Sequence, residues 1–409
     1  MEHKAASRLN RTANADAAIG RGLRINRQLA EHIVKAEPGN LTAQPDPQRA
    51  GFIMHAHRNH RMVEPRIADA RHRKQELAGE VAGFLHLYGL MRRDMRVTSP
   101  LVSIIVPAFG LAHLVGETIE SIITQSISDW EAIIIDDGAP DDVAGAVQPY
   151  LADPRVRFIS TDNGGLPTAR NRAIAVARAP LLALLDGDDL WEHDYLAQMI
   201  AAIDADAELG FVTCDATYFG ASRDGHRFSR YAPQEAPLTL NRVLRRMFNV
   251  YGGSMIRREA IDAVGGFRAE LRSAEDFDLW VRILGRGWRG GYVEAPLARY
   301  RRRAQSMSRE TERLLHAVID VYTRAEADLA GRPEADTARL MREQVSRELA
   351  VVQGEAMVLR GQVRAGLKRL RDGEPWRGSL KWSLAMPVLA IPGLARPLLA
   401  ARERMNRSG

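Results

Sequence analysis

The chain has 409 residues, 45% hydrophobic and 26% charged, proportions ordinary for globular proteins and long enough for more than one domain of ~100–200 residues. Its formal charge of +6 comes almost wholly from arginine, lysine standing only at positions 4, 35, 74, 368 and 381; with abundant alanine this reads as coding bias, and no nucleic-acid partner is expected. Cys214 is the single cysteine, which excludes a disulfide framework and a cysteine-rich zinc site.

Residues 1–64 are poor in apolar periodicity and rich in proline, and are expected to be loosely ordered. Their His55, His57 and His60 lack a fourth zinc ligand nearby, so a solvated loop is the reading. Met1 to Asn40 holds basic residues but no apolar core of a secretory signal, and no apolar run reaches the ~20 residues of a membrane span. A cytoplasmic location is expected. Over 65–99 the spacing of Leu77, Val81, Phe84, Leu85 and Tyr88 predicts a helical extension, ended by Thr98, Ser99 and Pro100.

From Pro100 the pattern changes to strands alternating with helices. Val102–Val106 reads as a buried strand stopped by Pro107, followed by a helix with Val115, Ile119, Ile122 and Ile123 on one face. Glu131–Ile135 is a second strand and Val156–Ile159 a third; a helix opened by Pro167 follows. Leu181–Leu185 is a fourth strand, without charge and so expected to be buried on both faces. This alternation on short connections predicts a right-handed, mostly parallel α/β sheet of Rossmann-like type.

The strand ends carry the chemistry. Asp136 and Asp137 close the second strand, and Asp186, Asp188 and Asp189 follow the fourth. Clustered carboxylates repel and raise one another's pKa. A divalent cation, Mg²⁺ or Mn²⁺, removes the repulsion and prefers carboxylate and phosphate oxygens. The position fits, since open α/β sheets bind ligands beyond the carboxyl ends of their strands. Neither a Walker lysine loop nor a Gly-x-Gly-x-x-Gly follows the first strand, which argues against P-loop enzymes and dinucleotide dehydrogenases. Further on, Tyr251–Ser254 has the composition of a flexible, ligand-accessible turn, and Ala274–Arg282 starts a helix with Glu275, Asp276 and Asp278 near its first turn. For Glu275 and Asp276, capping of the helix dipole is the alternative to a catalytic role. Arg299–Arg303 forms a basic run before Ser308. Residues 309–375 read as helical, with Met341, Val345, Leu349 and onward to Leu370 as one amphipathic helix against Leu315, Val318, Ile319 and Tyr322. In 376–409, Ser383–Ala395 is apolar, interrupted by Pro387 and Pro392 and flanked by Trp376, Lys381, Trp382 and Arg396. That suits a membrane surface better than a span, with packing on the domain as the alternative.

Val102-Ser-Ile-Ile-Val-Pro107, Gln125, Asp136-Asp-Gly138, Ala169-Arg-Asn171, Asp186-Gly-Asp-Asp189 and Glu275-Asp276 occur in the order of the family 2 glycosyltransferases. The chain resembles that family over 100–308, half of its length. The resemblance implies a GT-A fold, a nucleotide-diphosphate sugar donor, a divalent metal and inversion at the anomeric carbon. It implies Pro107 and Asp137 at the nucleobase, Arg170 near the nucleotide, Asp186 toward the ribose, Asp188 on the metal and Asp276 as general base. Gly253, Glu275, Trp280 and Arg303 are candidate acceptor or diphosphate contacts. A Gln-x-x-Arg-Trp motif, which the processive members carry, is absent, so one sugar per encounter is expected, passed to a glycan or lipid-linked acceptor. If the tail over 376–404 meets a membrane, the protein is peripheral on the cytoplasmic face of the inner membrane. The family's pattern departs at Ala108-Phe-Gly110, at Ala139, and at Arg303, where a histidine is usual; no histidine lies between His226 and His316. A degenerate nucleotide-sugar-binding or membrane scaffold protein is the alternative. A nucleotidyltransferase is less in keeping with Ala108–His113, which is not a glycine-rich basic loop.

Overall fold

The computed structural model describes residues 99–221, 223–303 and 311–373, with Gly393, Pro397 and Leu398. The readings of 1–64, of the helix over 65–99, of Ser308 and of nearly all the tail lie outside the described residues.

An eight-stranded mixed sheet organises the domain. In chain order its strands are β1 Val102–Ala108, β2 Trp130–Asp136, β3 Val156–Ser160, β4 Leu181–Leu184, β5 Leu190–Trp191, β6 Leu209–Gly220, β7 Met255–Arg257 and β8 Arg289–Arg302. Their spatial order is β3-β2-β1-β4-β7-β6-β8-β5. The block from β3 to β4 is parallel, β7 runs antiparallel to both β4 and β6, and β6 is parallel to β8. Every residue of β1, β2 and β4 is buried, as continuous apolar runs covered on both faces require.

Helices α1 Val115–Ile123, α2 Val143–Val147 and α3 Leu166–Val176 connect the parallel half, and α4 Tyr195–Asp204 leads from β5 to β6. Short helices α5 Leu240–Leu244 and α6 Arg258–Asp262 precede α7 Glu275–Gly285. Three further helices follow: α8 Thr311–Asp328, α9 Pro333–Leu359 and α10 Val363–Asp372. Leu315, Val318, Tyr322 and Leu349 of this helical region share one apolar cluster with Leu279 and Trp280 of α7 and Ile105 of β1. Phe277 meets Tyr322 edge-on at 5.4 Å between ring centres. The helices therefore close over the same core as the sheet.

Several boundaries differ from the sequence reading, each for a local reason. Strand β1 does not stop at Pro107 but runs through it to Ala108. The proline's missing N–H costs nothing there: that side of the strand faces β4, which has ended, and the Pro107 carbonyl accepts from Gly187 N at 3.2 Å. The helix expected to reach Leu370 unbroken divides into α9 and α10, because Gly361 takes φ +90° and ends α9 in the left-handed conformation glycine tolerates. The Tyr251–Ser254 turn is tied down: Tyr195 Oη donates to the Gly253 carbonyl at 3.0 Å and Ser254 Oγ to that of Tyr251 at 2.5 Å. None of the described helices is long and apolar enough to cross a membrane.

Candidate active site

The carboxyl ends of β2 and β4 deliver their acids to one edge, and each carboxylate finds a different use. Asp136 accepts from Ala139 N at 2.8 Å and from Ser160 Oγ at 3.2 Å, which fixes the turn after β2. Asp137 accepts from the backbone N–H groups of Gly164 and Gly165 at 2.9 and 2.7 Å. Gly138 is required here: it takes φ +68°, and a Cβ would lie 2.7 Å from Asn163 N. The loop before α3 is thus pinned to the end of β2 beside Pro107. Those two glycine amides were missed in the sequence, where only a turn was read.

Asp186, Asp188 and Asp189 diverge. Asp189 is buried, accepts from Tyr251 Oη at 2.9 Å and Arg301 N at 2.8 Å, and ties the acidic loop to β8. Burial, then the charges of Asp188 and Asp186, push its carboxyl well above the ordinary range. Asp188 lies 2.7 Å from Arg303 Nε, an ion pair without hydrogen-bond alignment. Burial and the Asp186 charge also raise its carboxyl, against the opposing pull of Arg303 and Arg301. Asp186 is the outermost, its side chain 43% exposed, and accepts from Arg170 Nη2 at 2.6 Å. Tyr251 and Arg301 were not singled out in the sequence, where they were read only as part of a turn and of a basic run.

Arg170 is committed to two carboxylates. Its side chain is 4% exposed, with Nη1 on Glu275 Oε1 at 2.7 Å and Nη2 on Asp186. It lies beneath the site as a bridge from α3 to α7 and to the acidic loop. Next to it, Asn171 clasps Phe267, donating to its carbonyl and accepting from its N–H at 2.7 and 2.8 Å. Glu275 is the buried partner of that arginine. Trp280 is 1% exposed and packs against Phe211 at 4.6 Å, so its ring belongs to the core. Gly253 is buried, with its carbonyl bound to Tyr195. Gln125 joins the end of α1 to the Glu192 carbonyl and to Leu196 N.

Asp276 is set apart by its surroundings. Ala274, just before α7, takes φ +57°, a conformation that costs a non-glycine residue about 1 kcal/mol and recurs at functional sites. That twist starts the helix so that Asp276 Oδ1 accepts from Phe277 N at 2.7 Å, while Oδ2 faces Gly252, whose Cβ if present would lie 3.7 Å away. Burial and the Glu275 charge push the Asp276 carboxyl up to about 6, against the pull of Arg170. Asp278, two residues on, is fully committed: Arg268 Nη1 and Arg282 Nε bind its two oxygens at 2.9 and 2.7 Å. Removing it in Asp278→Ala strands the buried Arg282 guanidinium, with an expected loss of about 3–5 kcal/mol in urea unfolding.

The donor set suits a cation completed by substrate. Among the described residues no group of three or more His, Cys, Asp or Glu side chains is arranged to hold an ion. A Mg²⁺-type site needs only one or two carboxylates when phosphate oxygens supply the rest, and Asp188 alone meets that need.

Comparison with known proteins agrees with this geometry. Residues 103–265 match the model of Glycosyl transferase family 2. The chain is 30% identical to the chondroitin synthase of Escherichia coli over 185 residues, 45% of this chain and 26% of that protein. It is 35% identical to the glycosyltransferase EpsJ of Bacillus subtilis over 148 residues, 36% of this chain and 41% of that one. It thus spans well under half the length of either relative. The mannosyltransferase PcManGT from Pyrobaculum calidifontis, solved with GDP-Man and Mn²⁺, superposes with a TM-score of 0.50 at 19% identity, covering 81% of this chain and 96% of that one. The mixed sheet is of GT-A type, and residues 103–265 carry the likeness to the family 2 glycosyltransferases.

Proposed function

We propose that the protein transfers one sugar per encounter, with inversion, from a nucleotide-diphosphate sugar to the hydroxyl of a glycan or lipid-linked acceptor. The observation that carries this reading is Asp276: a carboxylate raised to about 6, with one oxygen facing Gly252, on a helix bridged by Arg170 to the acidic loop. A general base works best when its pKa lies near the working pH. Asp276 takes the proton of the acceptor hydroxyl as that oxygen attacks the anomeric carbon. Arg170 and Glu275 hold the start of α7 against the acidic loop, so that base and diphosphate stay in register. Pro107 and Asp137 border the nucleobase end, and Asp186 the ribose. Asp188 would hold Mn²⁺ or Mg²⁺, which when bound supplies Lewis-acid neutralisation of the departing diphosphate; Arg303 adds a cation beside it. The tail over 376–404 meets the cytoplasmic face of a membrane, where a lipid-linked acceptor would lie.

The test is a panel of nucleotide-diphosphate sugars with Mn²⁺, with and without candidate acceptors. Release of nucleoside diphosphate and an inverted anomeric configuration by NMR are expected. The Asp188–Arg303 ion pair favours a second reading, a nucleotide-sugar sensor in which the arginine has replaced the metal. Saturable donor binding with no turnover on any acceptor would establish that one instead.

A further inference from the structure

Surface cations along the helical hairpin are mostly paired. Arg332 meets Glu334 at 3.2 Å, Arg339 meets Asp336 at 2.7 Å and Arg342 meets Glu326 at 3.1 Å. Helix α10 breaks that habit. Arg364, Lys368 and Arg371 are exposed, as is Arg360 at the end of α9, and none of the four has a side-chain partner among the described residues. The spacing i, i+4, i+7 places the three cations of α10 on one stripe. The one acid of the helix, Asp372, lies 4.0 Å from Arg369 and borders the stripe, four residues after Lys368.

The stripe is held outward by the opposite face. Val363, Leu367 and Leu370 pack on Val351, Val358 and Leu359 of α9. At the crossing the backbones touch: a Cβ on Gly366 would lie 2.8 Å from the Gly354 carbonyl oxygen, and one on Gly354 would lie 2.8 Å from that of Gly366. Gly373 closes against the Arg347 carbonyl in the same way, at 2.7 Å. A helix clamped backbone to backbone cannot roll, so its cationic face is a fixed surface.

Its partner follows from shape, charge and what comes next in the chain. The face is convex and cationic, without the apolar centre that a protein interface is built around. Beyond Gly373 the sequence supplies Trp376, Arg377, Lys381 and Trp382, the apolar run Ser383–Ala395, and then Arg396, Arg402, Arg404 and Arg407. Basic clusters adjoining tryptophan-flanked apolar segments match an anionic leaflet. We propose that the Arg364–Lys368–Arg371 stripe, extended by Arg360, docks the protein on an anionic lipid surface. This deepens the membrane part of the proposed function, and its test reads no turnover, so its failure is separable from failure of the transferase reading.

The experiment is flotation of the full chain with phosphatidylcholine vesicles, with and without phosphatidylglycerol. Wild type should float only with the anionic vesicles and be released at high salt, as the screening length shortens from ~10 Å at 0.1 M to ~3 Å at 1 M. Each cation near such a surface multiplies partitioning roughly five-fold, so the triple variant Arg364→Gln/Lys368→Gln/Arg371→Gln should partition about 100-fold less. The paired-cation control Arg339→Gln should float like wild type. Melting temperature checks folding; if the triple variant melts early, Lys368→Gln alone should still show the five-fold loss. The proposal is overturned if the glutamine variants float as well as wild type, or if wild type floats equally with neutral vesicles. It is equally overturned if wild type never floats, including the case in which it is retained on duplex DNA instead.

Discussion

Asp276→Asn is expected to lower turnover by roughly 10²–10⁴-fold, the usual contribution of a positioned base, while leaving donor affinity unchanged. Asparagine keeps the hydrogen bond that Oδ1 accepts from Phe277 N but cannot take a proton from the acceptor hydroxyl. The pH profile has a defined sign. The base acts as the carboxylate, so kcat/KM should rise with pH, level off above about 6, and fall tenfold per unit below it. Stability should move the other way. Because folding raises this carboxyl above its unfolded value, the ionised form is disfavoured in the fold. The neutral asparagine should therefore melt no lower than wild type at neutral pH. Asp278→Asn supplies the opposite pattern, since both its oxygens bind arginines: it should lose melting temperature and retain turnover in the folded fraction. A wild-type turnover for Asp276→Asn would remove the base from α7 altogether. A loss of turnover in Asp278→Asn alone would shift the base by two residues.

The parallel half of the sheet was legible because pattern and burial agree there: β1, β2 and β4 are fully buried and mostly apolar, Glu131 being the one charge inside them, and β2 and β4 lead into acids. The antiparallel half was less so. β8 runs from Arg289 to Arg302, but its arginines and glycines mask any alternation, and the sequence showed only the basic run Arg299–Arg303 at its end. The acids were found, yet their division of labour was not. Asp189 is a structural tie and Asp188 an ion-pair partner because of Tyr251, Arg301 and Arg303, which arrive from remote strands and turns. Arg170 was read as lying near the nucleotide; its role as a buried bridge between Glu275 and Asp186 appears only in the fold. Trp280 looked available on a helix with acids at its start, and the helix face that carries it turns to Phe211. Pairings over such sequence distances leave no local trace.

Asp188→Asn is expected to lower turnover by at least roughly 10²–10³-fold, the effect of deleting one group that stabilises developing charge, and to abolish the coupling between Mn²⁺ and nucleoside-diphosphate binding. The partner variant should act in the opposite direction. Arg303 Nε lies 2.7 Å from Asp188 Oδ2, so Arg303 competes with any cation for that carboxylate. Arg303→Gln removes the competitor and should tighten Mn²⁺ binding in the presence of a nucleoside diphosphate, read by calorimetry and by the Mn²⁺ resonance signal. In Asp188→Asn the same titration should be flat. Chelation with EDTA separates the two uses of this pair: wild type should lose turnover and regain it with Mn²⁺. If EDTA leaves wild-type turnover intact and Arg303→Gln abolishes it, the arginine itself faces the diphosphate and Asp188 serves only to aim it. Burial and the Asp186 charge push the Asp188 carboxyl upward, against the pull of Arg303 and Arg301. Arg170, Arg301 and Arg303 all serve this acidic loop, so a loss of turnover on chelation that Mn²⁺ restores is the result that would assign it a divalent cation as well.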